Sequence, residues 1–139
     1  MAVIERGVRA LSNRLPKVIT PKTHAIIDYA VAGSFFLAGG LMWRSSRRAA
    51  IASLACGAAE TAVAMLTDYP GGVGRIIDFE THGKIDAGMS GFVAMMPSLL
   101  GFSDQKHATF FRAQGIGIAA ATGMTDFEGY RRSYRRRAA

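Results

Sequence analysis

Hydrophobic and polar positions along the chain separate into long apolar blocks joined by short polar ones. Residues 24–43 (HAIIDYAVAGSFFLAGGLMW) carry no charge between Tyr29 and Trp43. A soluble helix of that length needs polar positions on its outer face, and none is present. RSSRR at 44–48 closes this block, and residues 49–67 form a second with one charge, Glu60. DYPGGVGR at 68–75 reads as a turn. A third block spans 82–102, with Pro97 inside it, and a fourth spans about 108–127, carrying Arg112 and Gln114. Each is near the length of about 20 residues that crosses the hydrocarbon core of a bilayer. The pattern predicts an all-α, integral membrane four-helix bundle with up-down-up-down topology.

Ahead of the blocks, Ile4, Val8, Leu11 and Leu15 fall on one helical face. This predicts a short amphipathic helix over residues 3–15, lying in the headgroup region. No cleavable signal peptide is expected, because Glu5, Arg6, Arg9, Arg14 and Lys17 interrupt any apolar run. The organisation reads as an amphipathic segment at 1–20, one transmembrane domain at 21–130 and a basic tail at 131–139.

The blocks are related in pairs. Residues 23–71 laid over 81–129, 58 positions on, match without a gap. Thr23/Thr81, His24/His82, Ile27/Ile85, Asp28/Asp86, Gly33/Gly91, Gly57/Gly115, Thr67/Thr125 and Asp68/Asp126 are among the identities. Each repeat is then one helical hairpin, and both copies enter the membrane in the same direction. That relates the halves by a pseudo-two-fold axis along the membrane normal. Gly33 and Gly57 fall near the bilayer middle, where small residues let helices approach closely.

Composition sharpens this picture. Half of the 139 residues are hydrophobic, 19% are charged, and the net charge is +7. The basic residues cluster at the chain ends and in connections, which fits a membrane protein and not a nucleic-acid binder. Arg44, Arg47, Arg48, Lys106 and Arg112 lie on one side, and the larger share lies with the termini. The positive-inside rule therefore sets both termini in the cytoplasm. The Ala- and Arg-heavy composition points to a bacterial inner membrane. The single cysteine, Cys56, excludes an intrachain disulfide and a thiolate-rich zinc site.

The matched polar residues carry the candidate chemistry. His24 and Asp28 are four apart and share a helix face, as do His82 and Asp86. Asp68 and Asp126 end the second and fourth blocks, so two histidines and four aspartates gather at one end of the bundle. Nitrogen and oxygen ligands without thiolate suit Zn²⁺, Fe²⁺ or Mn²⁺, as one or two ions. The expected metal set is His24, Asp28, Asp68, His82, Asp86 and Asp126, with Glu60 a proton acceptor extending the site inward. The pattern resembles the inward-facing ligands of di-iron bundles but uses Asp and HxxxD. If the site is catalytic, hydrolysis or redox chemistry follows from activated water or bound oxygen.

Other readings use the same residues. His and Asp can instead form a proton-sharing polar network between helices that holds the repeats together, or Thr23 and Thr81 can cap helices, with Asp28 and Asp86 favoured near the helix N-termini. Glu60 can pair with Arg112 or Gln114. His24 and His82 can be the axial ligands of a b-type haem. The cluster can serve a proton- or cation-coupled carrier or channel, or the protein can be a scaffold subunit. Expected partners are the bilayer, anionic lipid headgroups at the basic ends and a second copy of the chain.

Overall fold

A computed structural model of the protein describes residues 14–137. Among them are five helices and no strand: α1 (Pro21–Met42), α2 (Arg47–Leu66), α3 (Phe79–Leu99), α4 (His107–Gly123) and α5 (Phe127–Arg137). Apart from Leu15, the apolar residues of the amphipathic helix expected at 3–15 lie outside the described residues. α1 packs along α2, and α3 packs along α4, with further contacts of α1 with α4 and α2 with α3.

Local chemistry sets the helix starts. Thr20 caps α1 by accepting from the Thr23 backbone N–H at 3.2 Å, with Pro21 opening the first turn. Asp78 caps α3 in the same way, accepting from Thr81 at 2.9 Å. The caps are thus Thr20 and Asp78, not Thr23 and Thr81. They stand 58 apart, as do the helices they open. Ser46 caps α2. Pro97 lies within α3, and Gly101 takes a positive φ of 69° where the chain turns toward α4.

Small residues draw the hairpins together, but only at some of the expected positions. A Cβ on Gly115 would come within 2.6 Å of the Ser90 carbonyl oxygen, and one on Gly57 within 3.2 Å of that of Ala32. Gly33 and Gly91 have open space where a Cβ would stand, so they are not packing glycines. The main core gathers around Phe35, Val93, Phe102, Phe111 and Ile118.

The outer faces remain apolar. Leu41 is 75% exposed and Ile116 is 71% exposed, with Leu37, Ile51, Phe92 and Met95 also outward. α1 and α2 are long and apolar enough to cross a membrane. α3 carries Glu80, Lys84 and Asp86 in its first turns, and α4 has 17 residues.

The basic tail is not simply an extension. It forms α5, whose start is held by Asp126 accepting from the Gly129 backbone N–H at 2.8 Å. Phe127 and Tyr130 turn inward on this helix and pack on Phe79. Arg131 reaches Glu80 on α3 at 3.3 Å.

Candidate metal centre

His24 and Asp28 project from the first two turns of α1, and His82 and Asp86 from the same turns of α3. All four are buried, with both histidines fully removed from solvent. Nε2 of His24 lies 3.2 Å from Nε2 of His82 and 3.0 Å from Oδ2 of Asp86. Nε2 of His82 lies 3.2 Å from Oδ2 of Asp28 and 3.1 Å from Oδ2 of Asp86. Within α1, His24 and Asp28 approach to 3.4 Å through Oδ1. One ligand atom from each residue lies within 4.8 Å of the other three, so the group can hold a metal ion.

Two threonines orient the imidazoles. Oγ1 of Thr67 donates to the Val63 carbonyl at 2.7 Å, and Oγ1 of Thr125 donates to that of Ala121 at 2.7 Å. With its proton committed, each hydroxyl oxygen acts as acceptor. Nδ1–H of His82 donates to Thr67 at 2.8 Å, and Nδ1–H of His24 to Thr125 at 2.7 Å. This assignment follows from the network, as hydrogen positions do. It leaves both Nε2 atoms facing each other and the two carboxylates. Fixing the far nitrogen in this way is the usual support of a metal-bound histidine.

The connections place those threonines. The backbone N–H of Asp68 bonds to the Ile77 carbonyl at 2.8 Å, and that of Asp126 to Ile19 at 3.2 Å. Thr67 and Thr125 are thereby pinned at short parallel bridges, Thr67 to Ile77 and Ile19 to Thr125. The aromatic rings of Phe79 and Phe127 stand edge-on to His24, and Tyr69 and Phe79 lie against His82.

Tyr69 also donates to Oδ2 of Asp28 at 2.6 Å. Burial, reinforced by this bond, holds its hydroxyl far above the ordinary tyrosine range, so it stays a donor. The position 58 residues on is Phe127, which has no donor to offer Asp86.

The other expected ligands are seated elsewhere. Asp68 is partly exposed and faces Arg75 at 3.7 Å. Asp126 is exposed and caps α5. An acid at a helix C-terminus opposes the dipole. Here both belong instead to the connections that follow. Glu60 is buried, with Oε2 lacking a hydrogen-bond partner. Gln114 donates to Ser34 and Arg112 is exposed, so neither is placed as the partner considered for Glu60. The haem arrangement does not fit: carboxylate oxygens of Asp28 and Asp86 fill the space around both Nε2 atoms, where a flat macrocycle would lie.

Thr67 and Thr125 are the residues that sequence reasoning passed over. The signal was present, since both are matched in the repeat and immediately precede the matched aspartates. No protein-family model, curated protein or solved structure matches this chain.

Proposed function

We propose that this protein is an integral membrane metalloprotein that binds one divalent transition-metal ion through His24, Asp28, His82 and Asp86. The observation that carries this reading is the pair of Nε2 atoms 3.2 Å apart, each on an imidazole whose Nδ1–H is already satisfied. Without a proton or a metal ion among them, two lone pairs beside two carboxylates repel one another in a buried site. Protons are the competing occupant, since each Nε2 lies within 3.2 Å of an aspartate Oδ2 that can accept an N–H. A divalent ion with two neutral imidazoles and two carboxylates gives a centre of zero net charge.

The spacing supports one ion. A tetrahedron with metal–ligand bonds of about 2.0–2.1 Å has edges of about 3.3–3.4 Å. Four separations among the two Nε2 atoms, Oδ2 of Asp28 and Oδ2 of Asp86 span 3.0–3.2 Å, His24 meets Asp28 through the other oxygen, Oδ1, at 3.4 Å, and one ligand atom from each residue lies within 4.8 Å of the rest. Four-coordinate nitrogen and oxygen ligation favours Zn²⁺, with Fe²⁺ next and Mn²⁺, which prefers six oxygen ligands, last. In this reading α1–α4 all cross the membrane as two tandem hairpins, and the centre lies at the cytoplasmic end. The exposed apolar faces of all four helices support that placement.

A second reading, a cation carrier, draws on Glu60, an acid buried in α2 with an unpartnered oxygen. Flux of Zn²⁺ or protons into liposomes containing the protein is its test.

The metal reading is tested by elemental analysis of detergent-purified protein beside a His24→Ala/His82→Ala variant. One equivalent of Zn, Fe or Mn in the wild type and none in the variant is the expected result. No metal in the wild type, even after reconstitution with Zn²⁺, Fe²⁺ and Mn²⁺, overturns it.

A further inference from the structure

The two halves of the centre are not equivalent, and the differences fall on one side. Asp28 is pinned by the Tyr69 hydroxyl at 2.6 Å. Asp86 has Phe127 at the corresponding place, and its Oδ1 is left without a partner. Thr122 is at the limit of hydrogen-bonding distance, 3.5 Å, and it approaches Oδ2, not Oδ1. Among the described residues, one other buried side-chain oxygen is unpartnered, Oε2 of Glu60. Glu60 is 3% exposed. It lies two turns before Thr67 on α2, on the interior side of the centre. Gly57, Glu60 and Ala64 form one buried face of α2 that leads to Thr67. The residue 58 positions on from Glu60 is Ile118, a core side chain, so the other half has no counterpart.

Buried polar oxygens are almost always hydrogen-bonded, and two orphans beside one centre call for a ligand. Glu60 does not belong to the group whose ligand atoms lie within 4.8 Å of one another. It is therefore not a resident ligand of the four-residue centre. We propose that Glu60 is a transient cation-binding position next to that centre, reached when Asp86 loosens its hold on the ion. Asp28, fixed by Tyr69, is the anchoring carboxylate. Asp86, with a free oxygen and no such donor, is the one that moves. Tyr69 is then a positioning residue, and divalent transition-metal ions pass in and out of the centre on the Asp86–Glu60 side. This rests on the metal reading above and adds a direction of exchange to it.

The test uses the full chain in detergent, loaded with Co²⁺ as a coloured probe. The bound equivalents, the visible band and the rate of release to EDTA are measured for wild type, Tyr69→Phe and Glu60→Gln. Both variants are expected to bind one equivalent with the wild-type band. Tyr69→Phe frees Asp28 and releases Co²⁺ about tenfold faster, the size of effect typical of a lost outer-shell hydrogen bond. Glu60→Gln removes the receiving carboxylate and releases Co²⁺ several-fold more slowly. Wild-type release from both variants, at normal stoichiometry, overturns this proposal and leaves the metal reading standing. A changed resting band in Glu60→Gln also overturns it, because Glu60 would then be a resident ligand. No uptake of Co²⁺, Zn²⁺, Fe²⁺ or Mn²⁺ by the wild type removes the metal reading, and this proposal with it. If Tyr69→Phe does not fold, Asp28→Asn and Asp86→Asn replace it. Asp28→Asn is expected to lose more affinity than Asp86→Asn, and equal losses overturn the proposal.

Discussion

His24 and Thr125 are 101 positions apart in sequence, yet Nδ1 and Oγ1 lie 2.7 Å apart. His82 makes the same contact with Thr67. The threonine of each hairpin therefore orients the histidine of the other. Thr67→Val and Thr125→Val should each weaken metal binding by about tenfold to a hundredfold. Serine at either position should restore most of it. Competition titration with a coloured chelator reads both effects, and unchanged affinity in the valine variants would remove the threonines from the centre.

Metal binding should weaken as pH falls. An imidazole must be neutral to ligate, so protons compete with the ion for both Nε2 atoms and binding releases them. The sign is fixed: affinity rises with pH over the range in which the histidines lose their protons. A Zn²⁺ titration repeated across that range checks it. A flat profile would mean that histidine nitrogen does not hold the ion.

The α3–α4 contact depends on the absence of a side chain at Gly115. Alanine there would meet the Ser90 carbonyl oxygen and should cost about 1–3 kcal/mol through overpacking. Gly33→Ala and Gly91→Ala enter open space and should be tolerated. Unfolding of the three variants in mixed detergent and denaturant distinguishes the positions.

Ile116 faces outward from α4. If α4 crosses the bilayer, Ile116→Arg should disfavour insertion by about 3 kcal/mol, the cost of arginine near a helix centre. Membrane fractionation beside Gly117→Ala, whose Cβ meets nothing, gives the comparison. Equal membrane yields would argue against α4 as a span.

Asp78 holds the start of α3, and its carboxyl is kept below the usual aspartate range by hydrogen bonds from the Thr81 hydroxyl and backbone. A depressed folded-state pKa stabilises the fold above the ordinary aspartate value, and the contribution is lost as pH falls through the folded one. Asp78→Asn, which still accepts a capping bond, should flatten this acid limb, while Asp78→Ala should lower stability at neutral pH as well.

Much of the site was legible because repetition and helical spacing act together. An i, i+4 pair reports a shared face, and its second copy 58 residues on reports that the face matters twice. Asp68 and Asp126 satisfy the same repetition, but each lies just past a helix end. There the backbone leaves the helix axis and turns the side chain toward Arg75 or the first turn of α5. Thr67 and Thr125 were overlooked because a hydroxyl carries less obvious chemistry than a carboxylate. Their role depends on a committed proton, which spacing alone does not reveal. The helix α5 was hidden by its arginines, whose charge outweighs the two inward aromatics in any reading of hydropathy. Four apolar blocks and their order were plain from the pattern; the space beside Gly33 and Gly91 depends on helix rotation, which the pattern leaves free.

The crossed threonine contacts also bear on how such a chain differs from a pair of identical hairpins. One hairpin bearing HxxxD and the later threonine holds every group needed to close the centre against its own copy. A homodimer of that kind must carry the same residue at both equivalent places. Joining the copies in one polypeptide lifts that constraint, so that tyrosine can stand at 69 with phenylalanine at 127, and glutamate at 60 with isoleucine at 118. Handedness between the two sides of the centre is open to the joined chain alone.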